Sequence, residues 1–435
     1  MLGTGTIPLI GYQEVAFGVP PSAETALADG LPPALLDLLA CIGQVALQRG
    51  QPLYLVGGPV RDLLLRRPVM DIDLVTEGDA VDLARAVAQR FGGQVSAVSQ
   101  FLTAKVRFPL WTVDLATARR EIYPSPGALP VVQPGSIHDD LARRDFTINA
   151  IAIDLTPARW GHLLDPFGGY GDVQGRLVRI LHDRSFQDDA TRILRALRYE
   201  QRLGFALEAH TCYALKRDRG FLDTISGDRL RREVERVFQE PMPERVLGRA
   251  HDLGVLGSLF PGLQWGEEHR QALIRWREEG REVSPLLFLA LLAYPLSLER
   301  AEALVRRLRL PRRWAEVVRH TLQAREIVAR WASPPRPSQV IESLAPLRPE
   351  AVEACAILST EQAHRQTLRA YLDTWRSLRP RLSAMDLLAL GVPQGPWVGR
   401  LLAELRARVA DGLLATEEEE RAYVRRRLHT LKEEP

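Results

Sequence analysis

Cysteine is scarce in this chain, with Cys41, Cys212 and Cys355 the only three among 435 residues. An odd number at wide spacing builds neither a disulfide framework nor a zinc pattern, which fits a reducing cytoplasmic setting. All three are expected in the core. Lysine is almost absent, confined to Lys105, Lys216 and Lys432, so the basic component is nearly all arginine. Long hydrophobic runs are missing too. No uninterrupted apolar stretch approaches the ~20 residues that span a bilayer, and the N-terminus has neither the basic start nor the apolar core of a secretory signal. A net charge of +3 does not by itself announce a nucleic-acid binder. An apolar share of 46% is ordinary for a globular protein, and the length allows several domains.

The most informative stretch is Leu53–Thr76, LYLVGGPVRDLLLRRPVMDIDLVT. An apolar strand runs into Gly57 and Gly58, Arg61 and Asp62 follow, and Asp71 and Asp73 sit two apart in a second apolar strand. Alternation along a strand points both carboxylates to one face. Like charges side by side call for a cation, and oxygen donors suit a divalent ion such as Mg²⁺. Paired ions about 3.5–4 Å apart can activate a hydroxyl and stabilise leaving pyrophosphate. The two glycines let backbone amides approach a polyphosphate, and Arg61 can add charge-assisted hydrogen bonds. DxD alone is common in surface turns, and a double glycine alone marks a turn. Here the carboxylates ride on an apolar strand, where leaving them unpaired is costly.

Periodicity predicts a helix over 34–48, a strand at Leu53–Val56 and a helix over Asp79–Phe91 capped by Asp79. Further strands are expected at Ala104–Phe108, Thr112–Ala116 and Asn149–Asp154. Four prolines within 121–137 predict an irregular loop. Residues 1–30 read as a weakly structured extension. Beyond about residue 180 strand signals stop and helical patterns take over, punctuated by proline and glycine. Glu417–Glu420 reads as a solvated helix face. Arginines cluster at 192, 195, 198 and 202, at 229, 231 and 232, and at 306, 307, 309, 312 and 313. Such clusters either follow a phosphate backbone or form solvated helix faces.

Asp114, in the strand Thr112–Leu115, is either a third carboxylate of the site or a solvent-facing strand residue. Arg143 and Arg144 either bind triphosphate or pair with Asp145. Leu164–Asp172 reads as a turn able to serve as a hinge. In Asp188–Tyr199, helical spacing makes Asp189 and Arg192 i,i+3 neighbours. An ionised carboxylate accepts and a guanidinium donates, so together they complement cytosine and adenine, which present an amine beside a ring-nitrogen acceptor. Uracil and guanine would meet like against like. The alternative is an intrahelical salt bridge of about 0.3–0.5 kcal/mol.

The ordered series GGPVRD at 57–62, DID at 71–73, DLATARRE from Asp114, LARRDFTINAIA at 141–152, LLDPFGGYGD at 163–172, DDATRILRALRY at 188–199 and GDRLRREVERVF at 227–238 resembles class II tRNA nucleotidyltransferases, the CCA-adding enzymes grouped with bacterial poly(A) polymerases. The resemblance implies an α+β chain: a polymerase-β-like nucleotidyltransferase head with a small mixed sheet, then an all-helical neck, body and tail forming an elongated hook. It divides the chain into an extension (1–30), head (31–180), neck (181–240), body (241–330) and tRNA-binding tail (331–435). It implies metal binding by Asp71 and Asp73, and the motif that starts at Asp114 keeps that residue a candidate third carboxylate. Gly58, Arg61 and Arg144 become nucleotide contacts, joining Gly57, which the double-glycine turn already offered. Asp189 and Arg192 become the base-reading template, followed by Arg195 and Arg198. The reaction implied is attack of a tRNA 3′-hydroxyl on CTP or ATP with Mg²⁺ as cofactor, the acceptor and TΨC arms being held mainly by backbone and shape. Asp188 stands where the family usually has Glu, and is expected to cap or orient the helix.

The motifs are shared by full CCA addition, CC-only addition, A-only addition and polyadenylation. A loop at Glu121–Ser136 argues against CC-only activity, and the mixed-charge C-terminus argues against polyadenylation. A non-catalytic RNA-binding scaffold would be expected to have a broken DxD.

Overall fold

The computed structural model describes residues 23–99 and 102–431, which divide between residues 221 and 222 into two compact units. In the first, a seven-stranded mixed sheet has the order β3-β4-β5-β2-β1-β8-β9. Its strands are β1 (Leu53–Val56), β2 (Ile72–Thr76), β3 (Gln94–Ser99), β4 (Thr103–Arg107), β5 (Thr112–Thr117), β8 (Ala152–Asp154) and β9 (Leu163–Leu164). β6 (Arg119–Ile122) and β7 (Val131–Pro134) form a separate hairpin.

The central strands are apolar where they are covered. β1 is buried throughout, and β2 buries every residue but Asp73, which is half-buried. β2 runs parallel to β5, with Asp73 opposite Asp114. Helices α1 (Ala23–Gly30) and α2 (Pro33–Gln48) precede β1 in sequence, α3 (Gly58–Leu64) joins β1 to β2, and α4 (Ala80–Phe91) joins β2 to β3. Asp79 caps α4 as its position predicts, accepting from Val81 N at 2.8 Å and Asp82 N at 3.0 Å.

Several expectations are corrected. Residues 23–30 of the supposed extension are helical and bury Ala23 and Leu27, while residues 1–22 lie outside the described residues. Within 121–137 the chain is not simply irregular, because β6 and β7 pair antiparallel. These strands are short and largely exposed, so no apolar alternation announced them. Asn149 ends a 3₁₀ turn, Thr147–Asn149, and the strand starts only at Ala152. Among the described residues beyond 180 one short strand remains: β11 (Ala206–Leu207) pairs in parallel with β10 (Leu177–Val178). Of the cysteines only Cys355 is buried; Cys41 is exposed and Cys212 half-buried.

The second unit is helical. The helix Pro285–Ala293, apolar on nearly all sides, buries every residue after its proline and packs against Arg312–Ala329 and Pro349–Leu358. A helix without a polar face belongs in the middle of a core. A smaller cluster joins Leu382, Leu387, Leu405 and Val424 near the C-terminus. Glu420 corrects the solvated-face reading of the acidic run. It is 1% exposed and accepts from the backbone N–H groups of Arg381 and Leu382 at 3.0 and 2.9 Å. Arginines of the third basic cluster serve structure as well. Arg307 donates to the carbonyls of Ile225 and Leu222, Arg309 pairs with Asp228, and Arg312 pairs with Glu316. No helix among the described residues is long and apolar enough to cross a membrane.

Candidate active site

A cavity of about 660 Å³ in the first unit gathers most of the residues singled out in the sequence: Gly58, Arg61, Asp71, Asp73, Arg144, Asp189, Arg192 and Arg195 all line it. Asp71 precedes β2 and is exposed, whereas Asp73 lies within the strand. Burial pushes the Asp73 carboxyl above its ordinary 3.8, opposed by Arg144 and reinforced by the charges of Asp114 and Asp71. Asp114 is outside the lining of this cavity. It borders a neighbouring depression shared with Asp73, Arg143 and Arg144, and accepts from Lys105 Nζ at 2.9 Å.

Gly57 turns the chain from β1 into α3. Its φ of 75° and ψ of −130° suit glycine, and an added Cβ would stand 2.3 Å from Arg144 Nη1. Its N–H is bonded to the Ile151 carbonyl at 3.0 Å, so the turn cannot relax freely. Gly57→Ala is therefore expected to destabilise the protein by about 1–3 kcal/mol and to displace Arg144. Thermal melting with an ATP titration checks both effects.

The arginines are held before any ligand arrives. α5 (Ile137–Ala142) begins with a capping box, the Ser136 side chain accepting from Asp139 N and Asp139 returning to Ser136 N. The helix presents buried Asp140, which binds Arg143 at 2.7 Å and Arg144 at 3.0 Å. Of the two readings of these arginines, the ion pair with Asp145 is not the arrangement observed. Asp145 instead accepts from Arg195 Nε at 2.8 Å, Asn149 Nδ2 at 2.9 Å and its neighbour Phe146 N at 2.9 Å. Burial works against its charge, but Arg195 and Asn149 outweigh that and hold its carboxyl below the usual range. Arg61 is 5% exposed; it donates to Asn149 Oδ1 at 2.6 Å and to Asp62, and lies 5.3 Å from the centroid of the Tyr199 ring.

Asp189 and Arg192 do not share a helix as their spacing suggested. After α6 (Gly169–Gly175), Asp189 is in extended backbone between α7 (Ser185–Asp188) and α8 (Thr191–Leu203), with Ala190 as the residue preceding α8. Its Oδ1 accepts from Thr191 N at 3.0 Å and Thr191 Oγ1 at 2.7 Å. Arg192 lies in the first turn of α8, 5% exposed, donating to Ser185 Oγ at 2.7 Å and to the Arg143 carbonyl at 2.8 Å. Both still face the one cavity. Asp188 caps nothing; it closes α7, 3.9 Å from His182 Nε2. Arg198 is half-buried on α8 and is not among the lining residues.

Sequence reasoning missed Asn149, Tyr199 and the pair Glu121–Tyr123. Tyr123 lines the cavity from the chain just after β6 and donates to Glu121 Oε2 at 2.9 Å. Burial, with Glu121 nearby, pushes its phenol up to about 12, so it stays protonated at neutral pH. Glu121 also accepts from Arg119 and Arg143. The only available signal was an aromatic beside an acid in a proline-rich stretch, which says nothing of where the hairpin folds.

Residues 53–179 match the poly A polymerase head domain, and residues 204–265 match a domain described as a probable RNA and SrmB-binding site of polymerase A. The chain is 34% identical to a CC-adding tRNA nucleotidyltransferase of Deinococcus radiodurans, over 86% of this chain and 88% of that protein. The chain belongs to the tRNA nucleotidyltransferase and poly(A) polymerase family. An A-adding tRNA nucleotidyltransferase of Geobacter sulfurreducens is also 34% identical, over 90% of this chain but 47% of that protein. The chain thus spans about half the length of that curated relative. A solved Thermotoga maritima CCA-adding enzyme complexed with tRNA superposes with a TM-score of 0.75 at 29% identity, covering 94% of this chain and 99% of that one. The α+β fold of this family, with a nucleotidyltransferase head and a small mixed sheet, is the fold observed here.

Proposed function

We propose that this protein adds CCA to the 3′ end of tRNA, using CTP and ATP and releasing pyrophosphate. One observation carries the reading: a single cavity holds the Asp71 and Asp73 carboxylates, three arginines suited to a triphosphate, and the Asp189 and Arg192 pair suited to a base. The chemistry rests on positioning and on stabilising charge. Arg61, Arg144 and Arg195 bring positive charge to the phosphates, and Gly57 and Gly58 let the backbone approach them. Asp189 accepts from the exocyclic amine of cytosine or adenine while Arg192 donates to the adjacent ring nitrogen. Asp114, in register with Asp73 on the neighbouring strand, is the candidate third carboxylate for taking the proton of the attacking 3′-hydroxyl. Arg198 is kept as a nucleotide contact of lesser weight. The division into head, neck, body and tail, with the tail holding the acceptor and TΨC arms in the cytoplasm, is part of the same proposal.

The donor set fits a hard divalent cation. Asp71 and Asp73 offer only oxygen, and no group of three or more His, Cys, Asp or Glu among the described residues is placed to hold an ion. Two carboxylates with substrate phosphates and water completing the shell is the usual arrangement for Mg²⁺. When bound, Mg²⁺ supplies Lewis-acid stabilisation of phosphoryl charge. Because the Asp73 carboxyl is raised, a proton competes for it at a pH above its ordinary 3.8. Mg²⁺ affinity is expected to weaken as pH falls through that raised value, and Mg²⁺ titrations at a series of pH values check it.

A-only addition is the second reading, favoured by the A-adding relative. Extension assays on transcripts ending at the discriminator base, after the first C or after the second C, separate the two. Completion of the shortest transcript with CTP plus ATP supports full CCA addition. Addition of one A to the CC-ended transcript alone supports A-only activity.

A further inference from the structure

Five side chains in the cavity wall close a ring. Arg61 Nη1 donates to Asn149 Oδ1 at 2.6 Å, and Asn149 Nδ2 donates to Asp145 Oδ1 at 2.9 Å. Asp145 Oδ2 accepts from Arg195 Nε at 2.8 Å, and Arg195 Nη2 donates to the Tyr199 hydroxyl at 3.2 Å. The ring closes at Tyr199, whose centroid lies 5.3 Å from the Arg61 Cζ and 5.6 Å from the Arg195 Cζ. The main-chain oxygen of Asn149 accepts from Arg144 Nη1 at 3.3 Å as well. One residue, 5% exposed, therefore touches Arg61 and Arg144 directly and reaches Arg195 through a single carboxylate.

The chemistry of the ring suits an amide at this point. Asp145 is ionised and only accepts, while Arg61 only donates, so the group between them must donate on one side and accept on the other. Carboxamide does both in one plane without adding charge. A carboxylate would face Asp145 with a second negative charge, and an aliphatic side chain would leave both partners short of a bond.

We propose that Asn149 is a positioning residue for the nucleotide: it fixes Arg61 relative to Arg195, so that phosphate contacts and the base-reading end of α8 act on one nucleotide pose. This rests on the reading of the cavity as the nucleotide site. Arg61 keeps Asp62 when Asn149 is lost, so the guanidinium stays charged and paired but its direction is no longer set by the ring. Misdirection of this kind weakens binding of the nucleotide and leaves the RNA-binding surface alone.

The test is equilibrium binding of ATP with Mg²⁺ in the absence of RNA, measured by calorimetry on the full chain. It compares wild type, Asn149→Ala, Arg61→Ala and the double variant, with Asn149→Ser as the substitution that leaves a smaller gap. Asn149→Ala is expected to weaken ATP binding by about 10- to 100-fold. The double variant is expected to be little weaker than Arg61→Ala, because both changes act through one guanidinium. In turnover, the KM for ATP rises while the KM for the RNA primer is unchanged. Strictly additive effects in the cycle, or ATP binding unchanged in both Asn149→Ala and Asn149→Ser, overturn the proposal. Absence of ATP and CTP binding in wild type, or no effect of Arg61→Ala, overturns the nucleotide-site reading and this proposal with it. Normal wild-type and Arg61→Ala behaviour beside an inert Asn149 removes the proposal alone.

Discussion

Alanine at both Asp71 and Asp73 is expected to lower nucleotide transfer by at least about 10³-fold, equivalent to ~4 kcal/mol of transition-state stabilisation. These carboxylates line the cavity from the start of β2, Asp71 just before the strand and Asp73 within it, and offer oxygen donors alone. The same change is expected to leave the fold as stable as before, or more so, near neutral pH. The sign follows from Asp73. A carboxyl raised in the folded protein is fully favourable only below its unfolded value, 3.8, and that contribution is lost as pH rises through the raised value. At neutral pH the ionised side chain therefore works against folding, and its removal relieves that cost. Primer extension and thermal melting on the same preparation provide the check. Loss of activity with an unchanged or raised Tm agrees; activity within tenfold of wild type excludes this metal-site assignment.

The second large effect concerns base choice. Asp189→Ala is expected to raise incorporation of U or G relative to C or A by about 10- to 100-fold, since the buried mismatch that rejects them costs about 1–3 kcal/mol per unpaired group. The variant also loses the bonds from Thr191 N and Oγ1 at the start of α8, a helix-start contribution of about 1 kcal/mol. Arg192→Ala is expected to relax selectivity as well, with a heavier stability loss, because Ser185 Oγ and the Arg143 carbonyl lose their donor in a buried setting. Single-nucleotide incorporation with each of the four triphosphates, normalised to the folded fraction, measures the ratio. Selectivity unchanged in Asp189→Ala would remove the template role from this pair.

Selectivity and stability meet in the same residues. Arg192 binds the carbonyl of Arg143, Arg143 binds Glu121, and Glu121 binds the Tyr123 hydroxyl. The hairpin is thus wired to the base-reading arginine through side chains, although it lies outside the main sheet. Nothing in the spacing of these residues discloses the connection, because 49 positions separate Arg143 from Arg192.

The amino-acid sequence by itself determined the strand at Leu53–Val56, the helix capped by Asp79, the family, and most of the residues that meet in the cavity. These follow from local rules: alternation, caps and motif order depend on neighbours within a few positions. Only the tertiary structure decided which charges pair. Arg143 and Arg144 turned to Asp140 rather than Asp145, Asp145 turned to Arg195, and Asp189 stepped out of the helix that carries Arg192. It also decided that Asn149 would leave the expected strand and stand between Arg61 and Asp145. The physical reason is common to all of these. A buried charge takes whichever partner satisfies its full set of hydrogen bonds, and that partner is chosen by packing in space rather than by distance along the chain.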